Sequence, residues 1–165
     1  MKPAAIVYTS NTGFTRRYAQ LLADKTGLPA VSLDDSQAKK LSGKVIIYLG
    51  WISASHIKGY SAASRKYKIC AVCGVGLCET GTMVEETRKA TSVPENVPLF
   101  TLQGGFAAGQ LKGINKMIIG ALKKGLNDKK DRTPEEERML QLVSGDSDFV
   151  CEANLESVLE WLKSC

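Results

Sequence analysis

The fold of this chain is decided near its N-terminus by residues 6–15, whose sequence is IVYTSNTGFT. An apolar run of strand length passes directly into hydroxyl and amide side chains around a single glycine, Gly13, and a helical pattern follows. Such a strand–turn–helix junction suits an anion, because backbone N–H groups point out of the helix N-terminus and the helix dipole favours negative charge. The stretch predicts a site for a phosphate monoester. An ordinary Ser/Thr N-cap is the alternative.

The spacing of this loop excludes two other classes of phosphate loop. A P-loop requires a lysine directly after its second glycine, and no lysine follows Gly13. The dinucleotide fingerprint requires three glycines in the pattern Gly-x-Gly-x-x-Gly, and the loop contains one. The loop therefore predicts a phosphate held by neutral hydroxyl and amide donors.

Composition is typical of a soluble globular protein with one domain over residues 1–165. Of the 165 residues, 44% are apolar and 24% are charged. A chain of this length can bury a hydrophobic core large enough to fold on its own. We expect a cytoplasmic protein, because the five cysteines do not resemble a disulfide framework and no signal peptide or spanning segment is evident. The net charge is +5, with much of the excess in residues 112–132. No aromatic residue is interleaved there, so we expect no nucleic-acid partner.

Apolar runs of strand length alternate with helical patterns over residues 4–102. Strands are expected at 4–8, 30–33, 44–49, 68–75 and 97–102, with a first helix ending at Gly27 and another over 82–90. Strands that are apolar on both faces and separated by helices indicate a parallel sheet covered on both sides. We predict an α/β three-layer sandwich, in which helices cover both faces of a five-stranded parallel sheet of order 2-1-3-4-5.

The C-terminal third has a mostly helical pattern. One helical stripe is expected to cover the sheet, and an anionic membrane surface is the alternative partner for this lysine-rich helix. Thr133 begins a second helix, with proline at the first helical position and Glu136 at the third. A terminal helix is expected to be capped by Asn154, and residues 123–132 are the most loop-like. The stripe consists of Ile114, Met117, Ile118, Ala121 and Leu122.

Three further loops are expected at the same edge of the sheet as the phosphate loop. They follow the third, fourth and fifth predicted strands and span residues 50–59, 74–81 and 103–106. Ligands of open parallel sheets bind beyond the carboxyl ends of the strands. Glycines let the backbone approach a flat ring closely, and Trp51 offers a stacking face. A phosphate site beside two ring-holding loops describes a mononucleotide with a planar base, and FMN fits best.

The loop Ser10-Asn11-Thr12-Gly13-Phe14-Thr15 resembles the phosphate loop of flavodoxins, and the predicted strand order and later loops fall where that family binds its flavin. The similarity covers essentially the whole chain. From Gly104 through the lysine-rich helix and the acidic capping box, the chain also resembles the flavodoxin-domain group that contains menaquinone-dependent protoporphyrinogen dehydrogenase. The resemblance implies a single flavodoxin-like domain that mediates electron transfer through FMN, with a redox partner protein or a small-molecule substrate. The alternatives are an FMN-dependent oxidoreductase of the protoporphyrinogen or quinone dehydrogenase type and a regulatory domain that has lost its flavin.

The same resemblance implies which residues bind the cofactor. Phe14 stands where flavodoxins usually carry asparagine and would contribute only its backbone N–H. Flavodoxins are also typically acidic, whereas this chain is basic. The phosphate would be held by Ser10, Asn11, Thr12, Gly13, Phe14 and Thr15. The isoalloxazine ring would lie between two loops, with Trp51, Ile52, Ser53 and Ala54 on one side and Gly76, Leu77, Cys78, Glu79 and Thr80 on the other.

The histidine and cysteine residues are not expected to act in catalysis or to bind a metal. His56 is the only histidine and is expected to be exposed, with proton donation as the alternative. Cys70 and Cys73 stand three apart in a predicted strand, so their side chains should point to opposite faces as buried thiols. Cys78 lies in a predicted flavin loop. The cysteine spacing does not match a ferredoxin cluster, and we expect no metal.

Overall fold

In a computed structural model that describes residues 2–110 and 113–165, five parallel strands form the central sheet. Their order across the sheet is β2-β1-β3-β5-β6, and the short strand β4 pairs antiparallel with the end of β3 alone. The predicted α/β class with a parallel sheet is confirmed. The strands are β1 (Ala5–Thr9), β2 (Ala30–Ser32), β3 (Val45–Ser53), β4 (His56–Ile57), β5 (Lys68–Gly76) and β6 (Leu99–Gln103).

Helices cover both faces of this sheet. Successive strand residues point to opposite faces, so Ile47 and Leu49 belong to one core cluster while Ile46 and Tyr48 belong to the other. The first cluster is closed by α1 (Phe14–Thr26) and α6 (Glu156–Lys163), and the second by α2 (Tyr60–Ser64) and α3 (Val84–Thr91). The arrangement is compatible with a three-layer sandwich.

The chain forms two compact units. The first consists of residues 1–104 and 150–165 and contains the parallel sheet. The second, residues 105–149, pairs two helices with a short antiparallel ribbon. Leu126 and Val143 are buried in it, one on each helix. Its elements are α4 (Gly113–Asp128), α5 (Pro134–Ser144), β7 (Gly105–Phe106) and β8 (Ser147–Asp148).

The predicted start of α5 is confirmed, and the loop predicted before it is shorter than expected, because only residues 129–132 of the segment 123–132 lie outside the helices. Thr133 and Glu136 form a reciprocal capping box in front of α5. Residues 123–128 are helical rather than loop-like, because α4 continues through the buried Leu126 to Asp128. Arg132 then donates from Nη1 to the carbonyl oxygens of Leu126 and Lys129, each at 2.9 Å. Charge-assisted hydrogen bonds of this kind satisfy the carbonyl groups that end a helix.

The apolar stripe of α4 was expected to be buried, but its described large side chains are exposed. α4 belongs to the unit of residues 105–149, whereas the sheet belongs to the other unit. Met117, Ile118 and Leu122 are instead 74%, 54% and 39% exposed. The side chain of Ile114 and the whole of Lys112 lie outside the described residues.

Asn154 does not cap the terminal helix, because α6 begins later, at Glu156. The Asn154 amide Nδ2 donates instead to the hydroxyl oxygen of the buried Tyr18 at 2.6 Å. That hydroxyl in turn donates to the Gln103 carbonyl oxygen at 2.5 Å. The residue therefore joins α1 to the end of β6 rather than ending a helix.

Cys70 and Cys73 lie on the same face of the sheet, contrary to prediction. Ile46 pairs with Ile69 while Ile47 pairs with Ala71, so Cys70 is the extra residue of a β-bulge. A bulge adds one residue to one strand and shifts the alternation of the side chains, and both cysteines join the cluster closed by α1. Both are free and buried, as predicted. Burial raises the pKa of the Cys73 thiol to about 12.

Candidate functional site

Three chain segments meet at the carboxyl edge of the sheet. Thr9 at the end of β1 pairs with Gly50, and Gly50 pairs in turn with Gly74 of β5. Neighbouring strands lie about 4.8 Å apart, so the segments that follow β1 and β5 begin about 10 Å from each other across β3. This is the edge at which open parallel sheets bind ligands.

The loop after β1 leads into the N-terminus of α1, where the N-cap residue is a glycine. Gly13 is the N-cap residue of α1 with φ 96°, a left-handed conformation that glycine adopts readily, and it has no side chain with which to cap the helix. A Cβ atom at Gly13 would meet no atom within 4 Å in the described part of the chain. The Ser10 hydroxyl accepts a hydrogen bond from the Arg16 backbone N–H at 3.3 Å. Open space thus lies beside N–H donors at the positive end of a helix.

The first turn of α1 carries positive charge. It has no acidic residue, and Arg16 and Arg17 follow within the first four helical positions. Cationic side chains at a helix N-terminus are unfavourable by roughly 0.3–1 kcal/mol each, and an anion bound there would be attracted both by the helix dipole and by these side chains. The charge distribution of the turn therefore favours an anionic ligand.

The predicted phosphate ligands differ in their exposure. Asn11 is exposed, Ser10 and Thr12 are half-buried, and Thr15 is 1% exposed in the first helical turn. Phe14 packs against the core cluster on the α1 face, with its Cβ 3.3 Å from where a Gly104 Cβ would stand. Its ring therefore points away from the loop, and only its backbone N–H can serve a ligand.

The segment after Leu49 is a β-hairpin where a loop was expected. β3 continues to Ser53 and returns as β4, with Ile52 opposite Ile57. The two turn residues between the strands, Ala54 and Ser55, have φ 48° and 62°, as a two-residue hairpin of type I′ requires. A left-handed conformation costs a residue other than glycine about 1–2 kcal/mol, so this turn is held by its surroundings.

Two side chains of α3 stabilise the turn of this hairpin by accepting hydrogen bonds from it. The Ser55 hydroxyl lies 2.5 Å from Glu86 Oε1, to which it donates, and the Ile57 N–H donates to Thr91 Oγ1 at 2.9 Å. His56 is exposed, and its Nδ1 lies 2.7 Å from the Ala54 carbonyl oxygen. The hairpin tip is therefore anchored on the helix that follows β5.

Glycines of β3 and β5 accommodate the side chains of this hairpin. A Cβ on Gly50 would stand 2.5 Å from Ile57 Cγ2, and one on Gly74 would stand 2.9 Å from Ile52 Cδ1. At Gly76 the corresponding distance to Ile52 Cδ1 is 3.3 Å. Ile52 thus covers the end of β5 on the α3 side of the sheet. Trp51 precedes it in the same strand and points to the side of α1.

Trp51 is half-buried beside a cation. Its backbone carbonyl accepts the Lys58 N–H at 2.9 Å, and the Lys58 ammonium lies 6.0 Å from the centroid of the indole ring. A cation over a ring at this distance is a weak attraction at an exposed site. The ring therefore lies on the same side of the sheet as the phosphate loop and keeps an exposed part.

The loop after β5 is tied to β6 by polar contacts. The Gln103 N–H donates to Thr80 Oγ1 at 2.9 Å, and Gln103 Nε2 donates to the Leu77 carbonyl oxygen at 3.2 Å. The Thr101 hydroxyl donates to the Thr82 carbonyl oxygen at 2.7 Å. Thr80 is therefore a structural acceptor whose hydroxyl is engaged within the fold.

Cys78 and Glu79 lie exposed at the tip of the same loop. Partial burial and, after it, the carboxylates of Glu86 and Glu79 raise the pKa of the Cys78 thiol. A thiol is nucleophilic as the thiolate. Cys78 is therefore protonated at neutral pH and is not an activated nucleophile.

Sequence reasoning missed a tyrosine below the phosphate loop. The Tyr48 hydroxyl donates to the Lys58 carbonyl oxygen at 2.7 Å and lies 2.8 Å from Thr9 Oγ1, which can donate to it. Burial raises the pKa of this phenol, so it stays neutral. The contact joins the end of β1 to the base of the hairpin. No local sequence pattern indicates it, because its members are far apart in the chain.

Within the described ranges, 2–110 and 113–165, no group of three or more His, Cys, Asp or Glu side chains is arranged to hold a metal ion. Over the same ranges, no helix has the length and apolar character needed to span a bilayer. In comparisons with known proteins, the chain matches no family model, no curated protein and no solved structure.

Proposed function

We propose that this chain is an FMN-binding redox protein with a flavodoxin-like fold, in which the five parallel strands follow the order 2-1-3-4-5 once β4 is set aside. Its role would be to transfer electrons between a donor and an acceptor. One observation carries the proposal: the N-terminus of α1, which begins at Gly13, lies at the same sheet edge as the Trp51 hairpin and the loop after β5.

The phosphate would bind at the start of α1. Ser10, Asn11 and Thr12 offer neutral donors, and the N–H groups of Gly13 and Phe14 lie at the positive end of the helix dipole. Thr15 adds a hydroxyl from inside the first turn. Neutral donors and a helix N-terminus can hold a phosphate dianion without a lysine, which fits the residues present.

The flavin ring would lie between the hairpin and the loop after β5. Trp51 would stack on one face, a contact worth about 0.5–1.5 kcal/mol beyond its buried area, while Ser53 and Ala54 continue that wall. Ile52 would act by holding the hairpin on β5. The other wall would be residues 76–80, which Gln103 keeps in position. When bound, FMN supplies the electron-transfer chemistry, and the protein orients it and tunes its potential.

The two tryptophans of the chain allow a direct test. Trp161 lies on α6 with its ring centroid 6.2 Å from that of Phe100, so Trp161→Phe leaves Trp51 as the one indole, and Trp51→Phe leaves Trp161. We expect added FMN to quench Trp51 emission more strongly than Trp161 emission. The loss of stacking in Trp51→Phe should weaken FMN binding by up to about tenfold. A purified protein that is colourless and binds no FMN in micromolar titrations would refute the proposal.

An FMN-dependent oxidoreductase of the protoporphyrinogen or quinone dehydrogenase type is the second candidate. The separate unit of residues 105–149, with its exposed lysine-rich helix, favours it, because electron transfer at a flavin edge requires no such addition. Turnover of protoporphyrinogen with a quinone acceptor by the FMN-loaded protein would support this candidate. FMN binding without turnover would exclude this candidate and favour the electron-transfer protein.

A further inference from the structure

α4 has an exposed face that its own unit does not cover. The helix packs on α5, and the side chain of Leu126 is buried while that of Ile119 is half-buried. Met117 and Ile118 are 74% and 54% exposed, Leu122 is 39% exposed, and Ala121 is exposed beside them. At about 100° per residue, these four positions span an arc of about 140° that excludes the packed positions 119 and 126. Large apolar side chains exposed together mark an interaction surface.

One lysine borders this arc and two others lie on the polar face of the helix: Lys124 is about 20° from Met117, whereas Lys116 and Lys123 are about 100–120° from it. On the same helical projection, Lys116, Lys123 and Lys124 occupy the sector between the packed face and Met117. Residues 112–132 contain seven basic and two acidic residues, a net charge of +5, which equals that of the whole chain. The apolar arc therefore adjoins a positively charged polar face on its Met117 side, and its complement is an apolar layer beneath negative charges.

α4 is also intrinsically weak as a helix in water. Gly120 and Gly125 lie inside it, and each costs about 1 kcal/mol relative to alanine. Packing does not require glycine at either position, because a Cβ atom built there would meet no atom within 4 Å among the described residues. A helix of this kind gains stability from a surface that covers its apolar side.

We propose that α4 is the docking surface for an anionic lipid bilayer, with Met117, Ile118, Ala121 and Leu122 inserted at the level of the headgroups. Lys124, at the border of the inserted arc, contacts the lipid phosphates, and Lys116 on the polar face adds to the long-range attraction by the anionic surface. An amphipathic helix with lysines beside an apolar face lies in the plane of a membrane in this manner. A second copy of the chain is a poorer occupant, because a symmetric contact would bring the same positive segment against itself.

Vesicle binding of the whole protein tests this proposal. We expect sedimentation with vesicles of phosphatidylcholine containing about 30 mol% phosphatidylglycerol, and little with phosphatidylcholine alone. The triple variant Met117→Ser, Ile118→Ser, Leu122→Ser should bind on the order of 100-fold more weakly, because the inserted apolar area is lost.

A charge variant tests the lysines separately. Lys116→Gln with Lys124→Gln should weaken binding to the anionic vesicles about fivefold for each lysine, and high salt should weaken the wild type in the same direction. Two matched controls lie in the other unit. Met83→Ser removes a methionine that is 46% exposed, and Lys39→Gln with Lys40→Gln removes two exposed lysines. Both controls should bind like the wild type.

Three results would overturn the proposal. The wild type could stay unbound to anionic vesicles, the triple serine variant could bind as the wild type does, or the wild type could form a dimer that this variant abolishes. Because the replaced side chains are exposed, the melting temperature of each variant should match that of the wild type, and the charge pair gives an independent readout. FMN content should not change, so failure here leaves the flavin proposal intact.

Discussion

Replacing Gly13 by alanine separates backbone strain from the loss of an anion site. Gly13 has φ 96°, and a Cβ built there meets no atom within 4 Å among the described residues. The substitution therefore causes no clash, and its effect on the empty protein is that of a left-handed alanine, about 1–2 kcal/mol of unfolding free energy. Gly27 is the matched control at the other end of α1. It has φ 71°, the same open surroundings, and an N–H that donates to Ala23 O.

FMN affinity should distinguish the two variants. A methyl group at residue 13 projects into the space beside the helix N-terminus, and relaxation of the strained φ turns the N–H donors of the loop away from the phosphate. Loss of one hydrogen bond to a charged group amounts to about 1.5–3 kcal/mol, so Gly13→Ala should weaken FMN binding about 10- to 100-fold. Gly27→Ala should leave FMN affinity unchanged, since it lies at the far end of the helix.

Two measurements suffice for this comparison. Urea unfolding of the FMN-free proteins gives the strain, and flavin fluorescence titration gives the affinity. The reasoning is refuted if Gly13→Ala binds FMN like the wild type, or if Gly27→Ala loses as much affinity. A stability loss in Gly13→Ala far above that of Gly27→Ala would show that the loop is packed rather than open.

Three other predictions concern stability. Gly50→Ala should lower the unfolding free energy by about 3 kcal/mol, because the added Cβ would stand 2.5 Å from Ile57 Cγ2. Urea unfolding measures this loss, which should exceed that of Gly27→Ala. Equal losses in the two variants would contradict the close packing of Ile57 on Gly50. Thr80→Val should cost about 1–3 kcal/mol and speed amide exchange at Gln103, whose N–H loses its acceptor, whereas Thr82→Val, at an exposed hydroxyl, should change little. Above about pH 9 the unfolded state loses the Cys73 proton that the folded state keeps up to about pH 12, so stability should fall as pH rises, by up to about 1.4 kcal/mol per pH unit. Cys73→Ala should show a shallower fall between pH 9 and 10, and an unchanged slope would contradict the assigned burial.

Predictions from sequence succeeded where the signal is local. The central strands β1, β3 and β5 consist mostly of apolar residues, because the middle of a parallel sheet is buried on both faces. Gly13 and Gly27 bound α1 through their left-handed conformations, and Thr133 with Glu136 starts α5 through contacts three residues apart. The positions of the edge segments follow from the ends of the strands.

Predictions failed where distant segments decide the outcome. Cys70 and Cys73 share a face because β5 holds one residue more than β3 over the paired stretch, which neither strand reveals alone. The chain beyond Leu49 stays extended because α3 holds the turn residues of the hairpin through Glu86 and Thr91. Asn154 bonds Tyr18 across most of the chain length.

The carboxyl edge of the sheet and the apolar stripe of α4 show the same difference between local and long-range determinants of structure. The sequence by itself determined that the chain forms a parallel α/β sheet with a glycine turn between β1 and α1, because apolar periodicity and glycine conformation act over a few residues. Only the tertiary structure decided that Gly50 and Gly74 accommodate isoleucines of the same chain and that Met117 and Ile118 remain exposed. An apolar helix face is stabilised by packing against another apolar surface, but which surface that is depends on how the folded chain brings its elements together.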